Sequence, residues 1–324
     1  RHLAKLEEVK IKSEADELEK ERKSIELILS SETRLKTYIK KELRVILEEF
    51  GDKRRCQITS DVISAQAFSD QDMMPAENVT VVLSEKGWVK AAKGHEIDSS
   101  ALNYKSGDAF LKEAKGRSNK MAFFIDSSGR SYTLLANSLP SARGQGEPLT
   151  GRLTPPIGAE FIDVVMGDDE QLVILSSDAG YGFISTLGDL QSKTKSGKHA
   201  ITLSKEAKTM RLTKVQNLES DYLAVITNRA RLLIFQVSEL PHLSKGKGNK
   251  LINIKTDDFV AKEEFLIGLC IIKENQKLRV EYGNGKKHKQ YSFSDLVNFT
   301  SHRARKGLTV PGVHGKALGI DAID

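Results

Sequence analysis

A repeat of roughly 50 residues constrains the fold of this chain more than any other feature of its sequence. Each copy opens with an apolar, strand-like run, which is followed by a tight polar turn and a second strand. The turns centre on positions 87, 129, 180, 230 and 285, which are 42, 51, 50 and 55 residues apart. In the last four copies a leucine follows the turn by ten or eleven residues: Leu139, Leu190, Leu240 and Leu296. A single unit of this size cannot bury both of its faces, so neighbouring units are expected to share a core.

The repeat predicts a mainly β protein. Radial repetition of small antiparallel sheets is one way in which an all-β chain avoids long exposed edges. Five copies therefore predict a five-bladed β-pinwheel over residues 78–324, a propeller-like disc that is closed or nearly closed.

Each copy also carries a glycine-containing loop with one or more cations, at 104–107, 141–148, 193–198, 244–250 and 303–307. Glycine allows a backbone to approach a phosphate closely, and Lys or Arg attracts the phosphate without reading a base. One such cluster would indicate only a solvated surface. Recurrence at the same point of every copy favours a basic surface for nucleic acid.

The candidate DNA-binding residues are the cations of these loops. They are Arg143, Lys193, Lys195, Lys198, Lys245, Lys247, Lys250, Arg303, Arg305 and Lys306, with Arg117 and Arg130 as second-rank candidates. The net charge is only +6, but residues 191–256 hold thirteen basic and four acidic side chains, whereas 157–190 hold seven acidic and none basic. This asymmetry predicts separate faces, one of which attracts a polyanion.

The first fifty residues differ in kind, because apolar residues recur there at three- and four-residue steps between charges. This pattern predicts a short helix, a break within residues 10–15 and a longer helix from about residue 13 to residue 49. We expect these helices to form a coiled coil or a helix pair over 1–55. A linker is predicted over 56–77.

Other chemistry finds little support in the sequence. Cys56 and Cys270 are far apart and are expected to be reduced. The seven histidines show no metal-ligand spacing, and no phosphate-binding loop for ATP is present. The chain also has no apolar run long enough to span a membrane and no signal-like start, which predicts a cytosolic protein.

Three strings carry a resemblance to a known family: residues 48–55 (Glu-Glu-Phe-Gly-Asp-Lys-Arg-Arg), 141–151 and 243–250. The chain resembles the A subunit of bacterial type IIA topoisomerases, and specifically that of topoisomerase IV of the gammaproteobacterial type. Residues 1–55 look like the helical end of the breakage-reunion region at the dimer gate. The rest is similar to the C-terminal β-pinwheel of the same family.

The resemblance implies a non-catalytic part that binds and bends duplex DNA and presents it for ATP-dependent double-strand passage, in decatenation, relaxation of supercoils and chromosome segregation. It implies an A-subunit homodimer within an A2B2 heterotetramer, with ATP and Mg²⁺ bound through the B subunit of topoisomerase IV and no cofactor in this chain. It further implies a cytoplasmic, nucleoid-associated protein, with peripheral inner-membrane association as a further possibility in the family.

Two departures from the family pattern matter. The A subunit of gyrase carries a Gln-Arg-Arg-Gly-Gly-Lys-Gly box in its first blade, whereas the equivalent stretch here, residues 102–108, has one cation. In addition, the nucleophilic tyrosine of the family directly follows an arginine, and no tyrosine of this chain does. Catalytic residues are therefore expected to be absent. The alternatives are a gyrase A wrapping domain, a protein-interaction propeller and a coiled coil with a passive cap.

Overall fold

The computed structural model describes residues 2–52, 76–285 and 287–323, with side chains from residue 6 onward. The chain divides into two compact units, residues 1–67 and 68–324. Most of the predicted linker at 56–77 and Cys56 lie outside the described residues.

Two helices, α1 (His2–Leu29) and α2 (Glu32–Phe50), form the described part of the first unit. The predicted break within residues 10–15 is wrong, because α1 runs through these residues without interruption. The chain breaks at Ser30 and Ser31, and Ser31 is the extended N-cap residue of α2. Serine favours helix ends over helix interiors, which agrees with the position of the break, although the Ser31 side chain makes no capping hydrogen bond. Apolar side chains of both helices, including Leu6, Ile25 and Leu43, are exposed.

Nineteen strands are described in the second unit. In chain order they are β1 (Asn78–Ser84), β2 (Trp88–Lys93), β3 (Phe110–Arg117), β4 (Met121–Asp126), β5 (Arg130–Leu135), β6 (Glu147–Pro148), β7 (Phe161–Met166), β8 (Leu172–Ser176), β9 (Tyr181–Thr186), β10 (Lys198–His199), β11 (Thr213–Lys214), β12 (Tyr222–Thr227), β13 (Arg231–Gln236), β14 (Asn249–Lys250), β15 (Leu266–Ile272), β16 (Lys277–Tyr282), β17 (Lys287–Ser292), β18 (Leu308–Thr309) and β19 (Ala317–Ile323). Short helical turns lie at Ser99–Ala101, Ala136–Ser138, Leu149–Gly151, Leu187–Leu190, Val237–Glu239, Thr256–Val260 and Phe293–Phe299.

These strands form five antiparallel sheets, in the orders β3-β1-β2-β6, β7-β4-β5-β10, β11-β8-β9-β14, β15-β12-β13-β18 and β19-β16-β17. The centre of each sheet is one of the five hairpins that the sequence predicts, which confirms the mainly β fold and the count of five blades. The leucines that follow the turns of the last four copies are all buried.

The first strand in each of these orders is the inner strand of its sheet. Residues of all five inner strands, β3, β7, β11, β15 and β19, line one central cavity of about 840 Å³. The opposite edge of each sheet is therefore its outer edge.

The core consists of four apolar clusters, and each cluster joins two consecutive sheets. The cluster between the first and second sheets contains Leu83 and Phe124, and the cluster between the third and fourth sheets contains Ile184 and Phe235. Within the described ranges no such cluster joins the fifth sheet to the first. Burial thus links neighbours in sequence and leaves the ring without an apolar seam between its two ends.

None of the described helices is long and apolar enough to cross a membrane.

A buried carboxylate near the cavity gives the fold a pH dependence. Asp163 on β7 accepts hydrogen bonds from the backbone N–H groups of Leu212 (2.8 Å) and Val164 (2.9 Å). Burial nevertheless raises the pKa of Asp163 to about 6, against the attraction of Lys112. The folded state therefore binds this proton more tightly than the unfolded chain does, and ionisation of Asp163 costs stability as pH rises from about 4 to about 6.

We expect Asp163→Asn to gain stability relative to the parent chain over this pH window, by at most about 1.4 kcal/mol per pH unit. Urea unfolding at several pH values from 4 to 7 measures the difference. Asp168→Asn is the control: Lys120 lowers the pKa of Asp168 in the folded state, so the stability difference of this variant from the parent changes mainly below about pH 4 and should be nearly constant from about pH 5 to 7. A stability difference between Asp163→Asn and the parent that does not change with pH would contradict the assignment.

Candidate nucleic-acid interface

Four of the basic loops lie at the outer edges of the sheets. We call them rim loops one to four: residues 141–146, 193–197, 244–248 and 302–307. Each begins and ends on the second hairpin strand of the preceding sheet. Rim loop three, for example, follows a parallel contact with β9, in which the N–H of Ile184 donates to Pro241 (2.9 Å) and the N–H of Leu243 donates to Ile184 (2.8 Å). The loop ends in β14, which pairs with β9 again.

The other three rim loops are also followed by an outer strand of the preceding sheet. After rim loops one, two and four, the chain forms β6, β10 and β18, which pair with β2, β5 and β13. Each repeat unit therefore supplies the outer strand of the sheet before it, and only afterwards the inner strand of its own sheet. The outer edge of one sheet therefore holds both ends of each loop in place.

The loop of the first unit, 104–107, does not share this position, so the expectation of five equivalent loops is wrong. No sheet precedes the first unit among the described residues, and the loop folds back on its own sheet. There Lys105 lies over the ring of Trp88 (4.7 Å to the centroid), and Lys90 donates to the carbonyl of Asn103 (2.6 Å) and lies over Tyr104.

The last glycine of each rim loop has a packing role, and the predicted approach of the loop backbone to phosphate stays a prediction. Gly146 has a φ of +88°, and an added Cβ there would lie 2.5 Å from the carbonyl oxygen of Val89. Gly197, Gly248 and Gly307 occupy the equivalent positions directly before β10, β14 and β18, also with positive φ. Only glycine fits where the returning strand meets the sheet.

Seven of the candidate cations are exposed on the rim loops. They are Arg143 on loop one, Lys193 and Lys195 on loop two, Lys245 and Lys247 on loop three, and Arg305 and Lys306 on loop four. None of the seven forms an ion pair with another residue that the structure describes. Their charge is available to a partner.

Four other candidates are half-buried and hold the loops in place. The ammonium of Lys198 donates to the carbonyl of Asp189, and Arg130 donates to that of Ser196 (2.9 Å). Lys250 donates to the side chain of Asn253 (3.0 Å). Arg303 donates to the carbonyl of Glu239 (3.1 Å) and lies 3.5 Å from that of Lys250. Contacts with phosphate by these four stay predictions.

Backbone hydrogen bonds join neighbouring rim loops to each other. The N–H of Thr154, shortly after β6, donates to Lys195 of loop two (2.8 Å), and the N–H of Thr202, after β10, donates to Gly246 of loop three (2.8 Å). The N–H of Asn253, after β14, donates to Arg305 of loop four (2.8 Å). Through the segments that follow β6, β10 and β14, the four loops form one connected surface, which we call the rim surface, with a fixed spacing between the loop backbones.

Arg117 lies elsewhere. It ends the inner strand β3 and is exposed beside Lys120 and Asp168, which form an ion pair (2.9 Å). The structure does not bring Arg117 to the outer edge, and the acidic residues of 157–190 are likewise not part of the rim loops.

The sequence reasoning missed the outer strand of the fifth sheet. Among the described residues this sheet has no fourth strand, so β17 is its outer strand there. Its Lys287, His288 and Lys289 are exposed at positions where β13 carries Arg231, Leu232 and Leu233. The excess of basic residues over 278–316 was the available signal, because this range includes β17 as well as rim loop four.

The described residues contain no cluster of His, Cys, Asp and Glu that could hold a metal ion. His199 is exposed beside rim loop two, and His302 is exposed at the start of rim loop four, where its Nδ1 lies 3.4 Å from a carboxylate oxygen of Glu239. Burial raises the pKa of Cys270 to about 12, so its thiol is protonated.

Comparisons with known proteins agree with this architecture. A family model described as the DNA gyrase C-terminal domain, a beta-propeller, matches residues 171–215 and 221–262. The chain is 48% identical over 311 residues to the A subunit of DNA topoisomerase 4 from Pseudomonas aeruginosa, and 45% identical over 313 residues to that from Escherichia coli K12. These matches cover 96% and 97% of this chain but 41% of each relative, so the chain spans less than half the length of these proteins.

A solved structure matches the sheet unit. The C-terminal domain of ParC from E. coli is 43% identical, with a TM-score of 0.69, over 76% of this chain and 99% of that domain. The sequence identity, the shared fold and the nearly complete coverage of that domain all indicate the same family. The chain belongs to the family of topoisomerase IV A subunits and contains the C-terminal β-propeller domain of that family.

Proposed function

We propose that the rim surface binds duplex DNA without sequence preference and bends it. The observation that supports this most strongly is the placement of seven exposed cations, unpaired with any described residue, on four equivalent loops with fixed spacing. A duplex is a regular array of phosphates, and cations on a curved, rigid edge neutralise it on one side. Lys and Arg contacts with phosphate carry no sequence information, which fits binding without sequence preference.

Bending follows from the position of the cations at the outer edges of consecutive sheets that surround one cavity. A duplex that contacts all four loops has to follow that edge. Bending a short site costs about 1–6 kcal/mol, which contacts at successive loops offset.

In the whole protein, we propose that this domain presents a bent DNA segment to a topoisomerase core for decatenation and relaxation of supercoils. ATP and Mg²⁺ would be bound by the B subunit of an A2B2 assembly in the cytoplasm, and the cleavage tyrosine would lie outside this chain. These proposals rest on the relatives' names and on the family resemblance. The low charge of residues 102–108 favours a topoisomerase IV role over full gyrase-type wrapping.

The test is ligase-catalysed cyclisation of a DNA fragment near one persistence length, with and without the full chain. We expect the chain to raise the rate of circle formation, and high salt to abolish the effect. Tight binding without faster cyclisation would remove bending from the proposal. Absence of DNA binding at low salt would favour the protein-interaction propeller.

A further inference from the structure

Tyr181 lies beneath the cations of rim loop three. It is the first residue of β9, pairs in register with Lys250 of β14, and packs against the apolar cluster that contains Leu251 and Ile252. The Nζ of Lys247 lies 4.1 Å from the centroid of the Tyr181 ring, and that of Lys250 lies 6.0 Å from it. One aromatic ring therefore attracts Lys247 of rim loop three and, at the longer distance, Lys250 of β14.

The equivalent positions on the neighbouring sheets hold residues that make other contacts. Arg130, which begins β5, donates to the backbone of rim loop two, and Arg231, which begins β13, pairs with the buried Glu264 (3.2 Å). Trp88, which begins β2, contacts Lys105 of the first unit, which is outside the rim loops. Among the described residues, rim loop three thus has an aromatic support for its own cations.

The surrounding backbone leaves the Lys247 side chain as the adjustable part of this loop. Gly246 and Gly248 flank it with φ values of +146° and +74°, and hydrogen bonds hold Gly246 to Ala200 and Thr202. A free lysine side chain loses much rotamer freedom when it binds a phosphate. Contact with the ring restricts Lys247 before binding, while the side chain stays exposed to solvent on its other side.

We propose that Tyr181 is a positioning residue of the DNA-binding surface, which orders Lys247 for contact with a phosphate. The inference rests on the proposed function of the rim surface and extends it to a residue that carries no charge. It predicts that duplex-DNA affinity depends on the aromatic ring of Tyr181 and does not depend on its phenol hydroxyl.

The experiment compares duplex-DNA affinity of the full chain with that of Tyr181→Leu, Tyr181→Phe, Lys247→Gln and the double variant Tyr181→Leu/Lys247→Gln. We expect Tyr181→Leu to bind about two- to five-fold more weakly with an unchanged salt slope, because the cation is still present. Tyr181→Phe should match the parent. The double variant should match Lys247→Gln alone, since Tyr181 acts through Lys247.

Parental affinity of Tyr181→Leu, losses that add in the double variant, or equal losses for Phe and Leu would each overturn the proposal. Thermal unfolding checks the fold of every variant, and Tyr181→Met replaces Tyr181→Leu if the latter is unstable. Ring-current shifts of the Lys247 side chain, measured by NMR without DNA, test the contact itself. If the parent chain fails to bind DNA, the proposed function fails even where these shifts are present.

Discussion

Replacement of the seven exposed rim-loop cations with glutamine is expected to lower the affinity of the full chain for a short DNA duplex by about 100-fold or more at near-physiological salt. The seven are Arg143, Lys193, Lys195, Lys245, Lys247, Arg305 and Lys306, all unpaired with described residues. Their loss removes the counterion release that drives nonspecific binding. The sheets should remain folded, because the hydrogen bonds that anchor the loops use other side chains and the backbone. A fluorescence-anisotropy titration measures the effect.

A matched control separates position from net charge. Seven exposed lysines outside the rim loops, when changed to glutamine, alter the net charge equally: Lys86, Lys93, Lys115, Lys205, Lys208, Lys262 and Lys277. We expect this control variant to lose far less affinity, since exposed charges beyond about 10 Å from the duplex are largely screened. Equal losses in the two variants would mean that DNA responds to overall charge and has no preferred surface.

Gly146→Ala is expected to lower the free energy of unfolding by about 2–4 kcal/mol. Alanine at a φ of +88° is strained, and its Cβ would overlap the carbonyl oxygen of Val89, where β6 returns to the first sheet. The change forces the outer strand away from β2 or distorts both. Chemical denaturation of the full chain measures the loss.

Gly144→Ala in the same rim loop is the control. Gly144 does not have a positive φ, and an added Cβ there would have its nearest neighbour at 4.0 Å. Its stability should stay within about 0.5 kcal/mol of the parent. If both alanine variants unfold like the parent, the last glycine of the rim loop has no structural role. The positive φ that recurs at this position in four loops then needs another cause.

The hairpins of the sheets could be predicted from sequence because their signals are local. Apolar strands, a polar turn such as the one at Gly129 and a buried leucine such as Leu190 all fall within one repeat unit. The break between α1 and α2 was misplaced, because the polar pattern near residue 13 does not differ in kind from the Ser30-Ser31 pair that interrupts the helix.

The pairing of each outer strand with the preceding sheet could not be predicted. β14 is two residues long and pairs with a strand more than sixty residues earlier, so no local periodicity reports it. Residues 104–107 share the basic glycine pattern of the rim loops but contact their own sheet, with Lys105 over Trp88, and the pattern does not report this contact. The same long-range pairing decides which cations are exposed, as Lys245 is, and which support the loop, as Lys198 does.

The salt dependence of duplex-DNA affinity tests the central claim most directly, namely that the rim loops contact phosphates as one surface. The full chain is titrated over a range of salt beside three variants, each with the two exposed cations of rim loop two, three or four changed to glutamine. We predict a steep linear fall of log affinity with log salt in the parent, and a slope reduced by up to about 1.8 in each variant, at about 0.9 per phosphate contact. A flat parent, or three variants with the parental slope, would contradict the account.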